Sequence, residues 1–189
     1  MHATFSRARG RLLRRLGTVT TAAVLSAGLM AATSGVAHAS LSQVQDGFEV
    51  NPQGSWLVAT GGSASAGFDR GAGTARTGAN NGWLFASNGW AFEGYWVPTN
   101  SVPRNAQCAS QFYMQTAGGA QVGIEIWDAN GHLLFSTYPW LNGSGAYQAV
   151  NTARWNLNGV NPVFVKAIIG ASGSSRFVRL DDMTTQCYW

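Results

Sequence analysis

A carboxylate and two aromatic side chains share the segment from Gln121 to Tyr138. Glu125 and Trp127 precede the turn-forming dipeptide Asn130-Gly131, and Tyr138 follows it, so a β-hairpin places all three on one face. Aromatic rings stack on the apolar C–H face of a pyranose, and a carboxylate accepts hydrogen bonds from paired hydroxyls. The spacing predicts a sugar platform. Packing of the two rings under a second layer or under loops is the alternative.

The turn of this hairpin decides which side chains share a face. A two-residue turn centred on Ala129-Asn130 or on Asn130-Gly131 gives registers of the same parity. Both predict a core face of Ile124, Ile126, Leu133 and Phe135, and an opposite face of Glu125, Trp127, His132, Leu134, Ser136 and Tyr138. A three-residue turn would break this grouping.

Other tryptophans extend the candidate binding surface. All eight tryptophans follow residue 39. Trp90, Trp96 and Trp140 stand near Gly, Asn or Pro, where side chains at loop edges are more often exposed. We expect these three to contact carbohydrate together with Glu125, Trp127 and Tyr138. Ordinary packing of each ring is the alternative.

Catalytic chemistry has weaker support. Glycoside hydrolysis uses two carboxylates about 5 to 9 Å apart, and no spacing brings together any two of the free candidates, which are Asp69, Glu93, Glu125 and Asp128. The sole histidine after residue 39 is His132, and no serine stands in a nucleophile-elbow setting. We therefore predict a protein that is not an enzyme.

The first 39 residues predict an export leader. Five arginines in residues 7–15 precede an apolar run over residues 19–36, and Ala37-His38-Ala39 forms a small-x-small cleavage site. A membrane anchor is the alternative, but threonine, serine and glycine dilute the run. We predict a signal peptide over residues 1–39 and one secreted domain over residues 40–189, without membrane insertion.

Loss of the leader changes the charge. Five of the twelve basic residues leave with it, so seven remain against eight acids and the net charge becomes about −1. A phosphate-binding surface needs a basic patch. Nucleic acid is therefore not an expected partner, and we expect a monomer.

Both cysteines lie in the exported part. Cys108 and Cys187 enclose 79 residues, and thiols in oxidising compartments pair as disulfides. We predict one bridge, in preference to a thiol nucleophile.

Turn residues and strand formers predict an all-β fold. Short apolar runs alternate with turn residues, and five Asn-Gly dipeptides supply positive φ angles. The predicted strands are too many for one flat sheet and favour a two-sheet antiparallel β-sandwich, or jelly roll. They cover residues 47–50, 56–59, 64–68, 74–77, 83–86, 92–97, 108–114, 121–127, 133–138, 147–150, 163–169 and 177–183.

Three segments resemble carbohydrate-binding modules with a galactose-binding-like jelly roll. These are Asp46-Gly47-Phe48-Glu49-Val50 with Trp56, the stretch from Ala75 to Leu84, and the ending Phe177-Val178-Arg179-Leu180-Asp181-Asp182-Met183. The resemblance implies binding of poly- or oligosaccharide, either on a concave sheet or at loop tips.

The same resemblance implies a structural calcium between the first and last strands. Asp46, Glu49, Asp181 and Asp182 occupy the matching segments, and calcium takes oxygen ligands. Adjacent acids on a strand point to opposite faces, so Asp181 and Asp182 can share a site only if the backbone bends. The alternative is one buried aspartate that holds a turn beside one exposed aspartate.

The sequence is also compatible with two other function classes. An aromatic face also suits a protein interface, as in an inhibitor or adhesin. A jelly-roll glycoside hydrolase or lyase is the third class.

Overall fold

The computed structural model describes residues 40–189, which form an antiparallel β-sandwich. The predicted signal peptide lies outside the described residues. Within the described part, no helix is long and apolar enough to cross a membrane. The elements are β1 (Leu41–Asp46), α1 (Pro52–Ser55), β2 (Trp56–Arg70), β3 (Asn80–Val97), β4 (Gln107–Gln115), β5 (Ala120–Trp127), β6 (Leu133–Thr137), β7 (Trp140–Leu141), β8 (Gln148–Asn151), β9 (Trp155–Asn156) and β10 (Val163–Tyr188).

Three long strands, β2, β3 and β10, run through both layers of the sandwich. One half of β10 pairs with β3 and β5, and its other half pairs with β3, β4 and β1. The first layer comprises residues 56–63, 88–97 and 163–172 with β5, β6 and β7. The second layer comprises residues 64–70, 80–86 and 176–188 with β1, β4, β8 and β9.

Bulges at the junction keep both layers facing one core. On β3 the buried side chains of the first-layer half are those of Ala91, Glu93 and Val97, at odd positions, and those of the second-layer half include Leu84 and Ala86, at even positions. The register of β2 with β3 shifts between Ser63 and Ala64, which leaves Ser87 as an extra residue. One extra residue moves the following side chains to the other face of a strand. Without this shift, a strand crossing from one layer to the other would turn its apolar side outward.

The core is a single apolar cluster between the layers. Trp56 of the first layer stacks on Phe48 with ring centroids 4.3 Å apart and meets Phe112 of the second layer edge-on at 6.0 Å. All three are buried. Each large apolar side chain buried in this way contributes about 1.5–3 kcal/mol to folding.

A buried carboxyl, that of Glu93, also joins the two layers. It lies on the first-layer half of β3, and its Oε1 accepts hydrogen bonds from the backbone N–H groups of Gly67 at 3.1 Å and Trp83 at 3.3 Å in the second layer. Its Oε2 has no hydrogen-bond partner among the described residues. Burial raises the pKa of Glu93 well above its usual value, because it outweighs these two hydrogen bonds.

The stability of a Glu93→Gln protein relative to wild type is therefore expected to increase as pH rises. A carboxyl with a raised folded-state pKa contributes stability that is complete below its ordinary pKa of 4.5 and is lost as pH rises through the folded-state pKa. Glu93→Gln has no such loss, because the amide does not titrate. Urea unfolding of both proteins from acidic to alkaline pH measures the difference. Parallel stability curves would contradict the prediction.

Several predicted strand boundaries are wrong. Residues 47–50 form a turn in which Phe48 has φ 62°, and the first strand precedes them. Residues 74–77 lie in the loop between β2 and β3, and six of the predicted short strands merge in pairs into β2, β3 and β10. The apparent breaks, such as Asn88-Gly89 beside the bulge at Ser87, lie inside long strands, because bulges and turns use the same residue types.

The predicted disulfide is confirmed. Cys108 on β4 and Cys187 on β10 stand directly opposite each other and are bonded. Both are buried in the core.

Candidate functional site

The outer face of the first layer carries an array of aromatic rings, here called the aromatic face. Along β3 every second residue from Trp90 to Trp96 points to this side, and the matching positions of β5 and β10 do the same. Its members are Trp90, Phe92, Trp96, Trp127, Tyr138, Trp140 and Phe164. From Trp90 to Trp96 the face extends roughly 20 Å along the strand.

Cross-strand pairing sets the order of the side chains on this face. One row reads Trp96, Phe164 and Trp127 across β3, β10 and β5. The next row reads Gly94, Lys166 and Glu125. Two further rows carry Phe92, Ile168 and Gly123, and then Trp90, Gly170, Gln121 and Trp140. The Phe164 and Tyr138 rings occupy the space that a Cβ at Gly94 or Gly123 would take, whereas a Cβ at Gly170 would meet only a backbone oxygen at 3.8 Å.

Trp90 lies flat on the sheet because its neighbour on β2 is a glycine. A Cβ at Gly61 would stand 2.5 Å from the indole Nε1 of Trp90, so only glycine leaves room for the ring. Trp90 is 43% exposed, and its indole stacks beside Phe92 with centroids 5.9 Å apart and planes 8° apart. One side of a flat indole therefore faces solvent.

The remaining rings form a continuous apolar floor. Phe164 contacts Trp96 with centroids 4.9 Å apart and Phe92 edge-on at 6.0 Å. The Lys166 ammonium lies 4.7 Å from the ring centroids of both Phe92 and Trp127. A cation held between two ring faces is attracted by their π electrons and keeps both rings in place.

Glu125 is the centre of a hydrogen-bond network under the aromatic face. Its carboxylate accepts hydrogen bonds from Trp127 Nε1 at 2.7 Å and from the Tyr138 hydroxyl, and it pairs with Lys166 Nζ at 2.8 Å. Only 7% of Glu125 is exposed. The two side chains predicted to flank this carboxylate are thus bonded to it.

These contacts set the charge state of the network. Burial by itself would raise the pKa of Glu125, but the hydrogen bonds from Lys166, Tyr138 and Trp127 outweigh it and hold the pKa below its usual value. Burial and the bond to Glu125 raise the pKa of Tyr138 to about 12. At neutral pH the carboxylate is ionised, the phenol is protonated, and Lys166 balances the charge.

Two depressions open on the aromatic face. The larger, about 510 Å³, is bounded by Trp90, Gln121, Tyr138 and the backbone of residues 168–172. The other, about 270 Å³, lies between Trp96, Trp127 and Phe164. Lys166 lines the second depression and Glu125 the first, so their ion pair lies between the two. The arrangement suits an extended ligand that has several flat apolar faces in sequence along its length.

The hairpin departs from its predicted register. Asp128 N–H donates to the His132 carbonyl at 2.9 Å, and Gly131 has φ 83°, so three residues form the turn. Leu133 consequently pairs with Trp127 and is 48% exposed, whereas Phe135 still pairs with Ile126.

The predicted core face therefore holds for Ile124, Ile126 and Phe135 and is wrong for Leu133. Leu134, predicted outside, packs against the core. His132 is exposed and its Nδ1 lies 2.8 Å from Asp128. A turn with one more residue changes which of the following positions face inward.

Five of the six residues predicted to bind carbohydrate are rings of the aromatic face, and the sixth, Glu125, is bonded beneath two of them. Trp90, expected at a loop edge, lies inside β3. The structure adds Phe92, Phe164 and Lys166, which were not predicted from the sequence. The alternation of Trp90, Phe92, Gly94 and Trp96 could have indicated Phe92. Nothing in the local sequence indicates that Phe164 and Lys166 lie between Trp96 and Trp127, because that placement depends on pairing between distant strands.

Solved structures with the same architecture include carbohydrate-binding modules. The family 22 xylan-binding domain CBM22-1 of Paenibacillus barcinonensis Xyn10C superposes with a TM-score of 0.55 and 12% identity, over 76% of this chain and 92% of that one. A CBM61 module solved in complex with β-1,4-galactotriose gives 0.53 and 11%, over 74% and 97%. This chain has their β-sandwich fold.

The fold also occurs in a part of larger proteins. The enzymatically active domain of tailspike protein 4 of bacteriophage CBA120 matches with a TM-score of 0.51 and 7% identity, over 69% of this chain but 19% of that one. No protein-family model and no curated protein sequence matches the chain. The resemblance to galactose-binding-like carbohydrate-binding modules is thus confirmed for the fold.

The acidic residues expected to hold calcium do meet at one corner of the sandwich. Asp181 is fully buried and accepts hydrogen bonds from the backbone N–H groups of Arg76 at 2.6 Å and Thr77 at 3.1 Å. Asp182 has φ 45° at a bulge in β10, pairs with the Arg76 guanidinium at 2.5 Å and accepts from the Thr77 hydroxyl at 2.6 Å. The backbone bends there, so both aspartates reach the same loop.

The other two acids hold neighbouring segments. Asp46 accepts from the backbone N–H of Phe48 at 2.8 Å and from Trp56 Nε1 at 3.1 Å. Glu49 accepts from the backbone N–H of Asn80 at 2.9 Å. The bonds of Asp46 connect the end of β1 to the turn after it and to the start of β2, and the bond of Glu49 connects the same turn to the start of β3.

These four carboxylates do not by themselves form a cation site. Within residues 40–189 no three acidic, histidine or cysteine side chains are grouped as a metal ion requires. Each carboxylate instead accepts from N–H or O–H groups of the protein. Calcium stays a prediction, and backbone carbonyls would have to supply most of its ligands.

Proposed function

We propose that residues 40–189 form a secreted, non-catalytic carbohydrate-binding protein that holds a neutral poly- or oligosaccharide along the aromatic face. The observation that carries this proposal is the flat, half-exposed indole of Trp90 in line with Phe92, Phe164 and Trp96. Such a row of rings matches the apolar faces of successive pyranoses. The two modules of the same fold described as binding xylan and galactotriose give the proposal its ligand class.

The charge of the aromatic face supports a neutral ligand. Lys166 and Glu125, the ion pair between its two depressions, neutralise each other at 2.8 Å. Hydrogen-bonding groups for sugar hydroxyls come from Gln121, Tyr138 and the indole N–H of Trp90.

The state of Glu125 supports binding without catalysis. A general acid in glycoside hydrolysis needs a raised pKa, whereas the contacts of Glu125 lower its pKa. Its oxygens already accept from Trp127 and Tyr138. We therefore assign Glu125 to positioning these two rings, in place of the direct sugar contact expected from the sequence.

Retention on a panel of insoluble polysaccharides, including xylan and β-1,4-galactan, tests the proposal. We expect at least one to retain the protein, and Trp90→Ala to weaken binding about tenfold or more, since a few aromatic residues carry most of the binding energy of such surfaces. Assays with and without a chelator show in the same experiment whether the predicted calcium affects binding.

Trp189→Ala is the matched control. Trp189 is 39% exposed, close to the 43% of Trp90, but it lies at the carboxyl terminus beside Ser40. Its loss should leave retention unchanged. If Trp90→Ala and Trp189→Ala bound as well as wild type, or if no polysaccharide were retained, the assignment of the aromatic face to sugar would be wrong.

A further inference from the structure

A second exposed ring lies on the outer face of the second layer. Phe177 of β10 is 38% exposed and stacks beside Trp83 of β3, with ring centroids 6.1 Å apart and planes 19° apart. Trp83 itself lies over Gly67 of β2, where a Cβ would stand 3.0 Å from its ring. The second layer thus repeats the combination of a flat indole, a glycine beneath it and a phenylalanine beside it.

Two arginines give this surface a charge that the aromatic face lacks. A depression of about 210 Å³ next to Phe177 is lined by Arg176, Arg179, Gln115, Thr116 and glycines of the neighbouring loops. No acidic residue is among the residues that line it. The Phe177 ring supplies an apolar contact beside this depression, and the guanidinium groups of Arg176 and Arg179 supply hydrogen-bond donors for an anion.

The two arginines differ in how far their charge is balanced. Arg179 Nε lies 3.7 Å from an Asp69 carboxylate oxygen, and its guanidinium carbon lies 5.0 Å from the Phe177 ring centroid. Arg176 forms no ion pair with any described residue, and its guanidinium carbon lies 5.7 Å from the ring centroid of Trp140. The fork of Arg176 is therefore available to an external carboxylate.

We infer that this surface is a second binding site, specific for a saccharide that carries a carboxylate, such as a uronic acid residue. The sugar ring stacks on Phe177, and its carboxylate accepts hydrogen bonds from Arg176 with Arg179 close by. Arginine matches the planar geometry of a carboxylate through two parallel N–H donors. This site borders the aromatic face at Trp140, over whose ring the Arg176 guanidinium lies, but it uses none of the contacts of Glu125 and does not depend on the function proposed for that face.

Calorimetric titration with trigalacturonate and with the same trisaccharide after reduction of its carboxyl groups tests the inference. We expect the acidic trisaccharide to bind at least tenfold more tightly than the reduced one, and its affinity to fall with added salt. Arg176→Gln should weaken trigalacturonate binding about tenfold, and Arg176→Glu should weaken it further. Acetate at equal carboxylate concentration should not compete, because it has no ring to stack on Phe177.

Matched variants separate this site from the aromatic face. Arg154→Gln removes another guanidinium that lies over a ring, 4.8 Å from the centroid of Tyr188, and should leave trigalacturonate binding unchanged. Trp90→Ala should also leave it unchanged while it weakens binding of neutral polysaccharide. Equal binding of the acidic and reduced trisaccharides, competition by acetate, or unchanged affinity in a folded Arg176→Glu protein would each overturn the inference.

Discussion

Replacing Glu125 by alanine should both destabilise the protein and abolish binding at the aromatic face. The substitution leaves Lys166 almost buried without its partner and removes the acceptor of Trp127 Nε1 and the Tyr138 hydroxyl. Loss of one member of a buried ion pair costs about 3–5 kcal/mol in stability. Urea unfolding measures this loss, and polysaccharide retention measures the effect on the two rings.

The pH dependence of the same network gives an independent check. The pKa of Glu125 is held below its ordinary value of 4.5, so its contribution to stability is complete above that pH and is lost as pH falls through the folded-state pKa. Glu125→Gln keeps an acceptor but has no charge. At neutral pH its loss of stability should lie between those of wild type and Glu125→Ala, and its stability should not fall further as Glu125 of wild type is protonated in acid. A Glu125→Ala protein within about 1 kcal/mol of wild type would contradict the role of the network.

Loss of the disulfide should lower the free energy of unfolding by about 4 kcal/mol. The bridge between Cys108 and Cys187 closes a loop of 79 residues, and cross-linking a loop of this length restricts the unfolded chain by about that amount. Chemical denaturation of wild type and of a Cys108→Ala, Cys187→Ala double variant measures the difference.

A reducing agent provides the control for this prediction. It should shift the unfolding midpoint of wild type towards that of the double variant and leave the double variant unchanged. Because the bridge lies in the second layer and on the core side, the aromatic face should still bind polysaccharide at temperatures where the double variant is folded. A difference in stability below about 1 kcal/mol would indicate that strand pairing alone fixes β4 against β10.

The two surfaces differ in charge. The aromatic face contains a cation and an anion that neutralise each other, whereas the depression beside Phe177 contains arginines and no acid. A glycan that contains both neutral and acidic sugars would have contacts on each layer of the sandwich.

Local patterns in the sequence determined the fold class, the disulfide and five of the seven rings of the aromatic face. Alternation with a period of two decides which side chains share a face of a strand, and this is why Glu125, Trp127 and Tyr138 could be grouped without coordinates. The two cysteines of a chain predicted to be exported could be paired because two thiols allow only one bridge.

Only the tertiary structure decided how these faces meet. The bulge at Ser87 turns both halves of β3 towards one core, and the three-residue turn exposes Leu133. Each of these features depends on one extra residue, which residue types alone do not specify. The position of Lys166 between Phe92 and Trp127 depends on the pairing of β10 with β3 and β5, strands far apart in sequence. Contacts between distant segments depend on the packing of the whole core, and no local pattern encodes them.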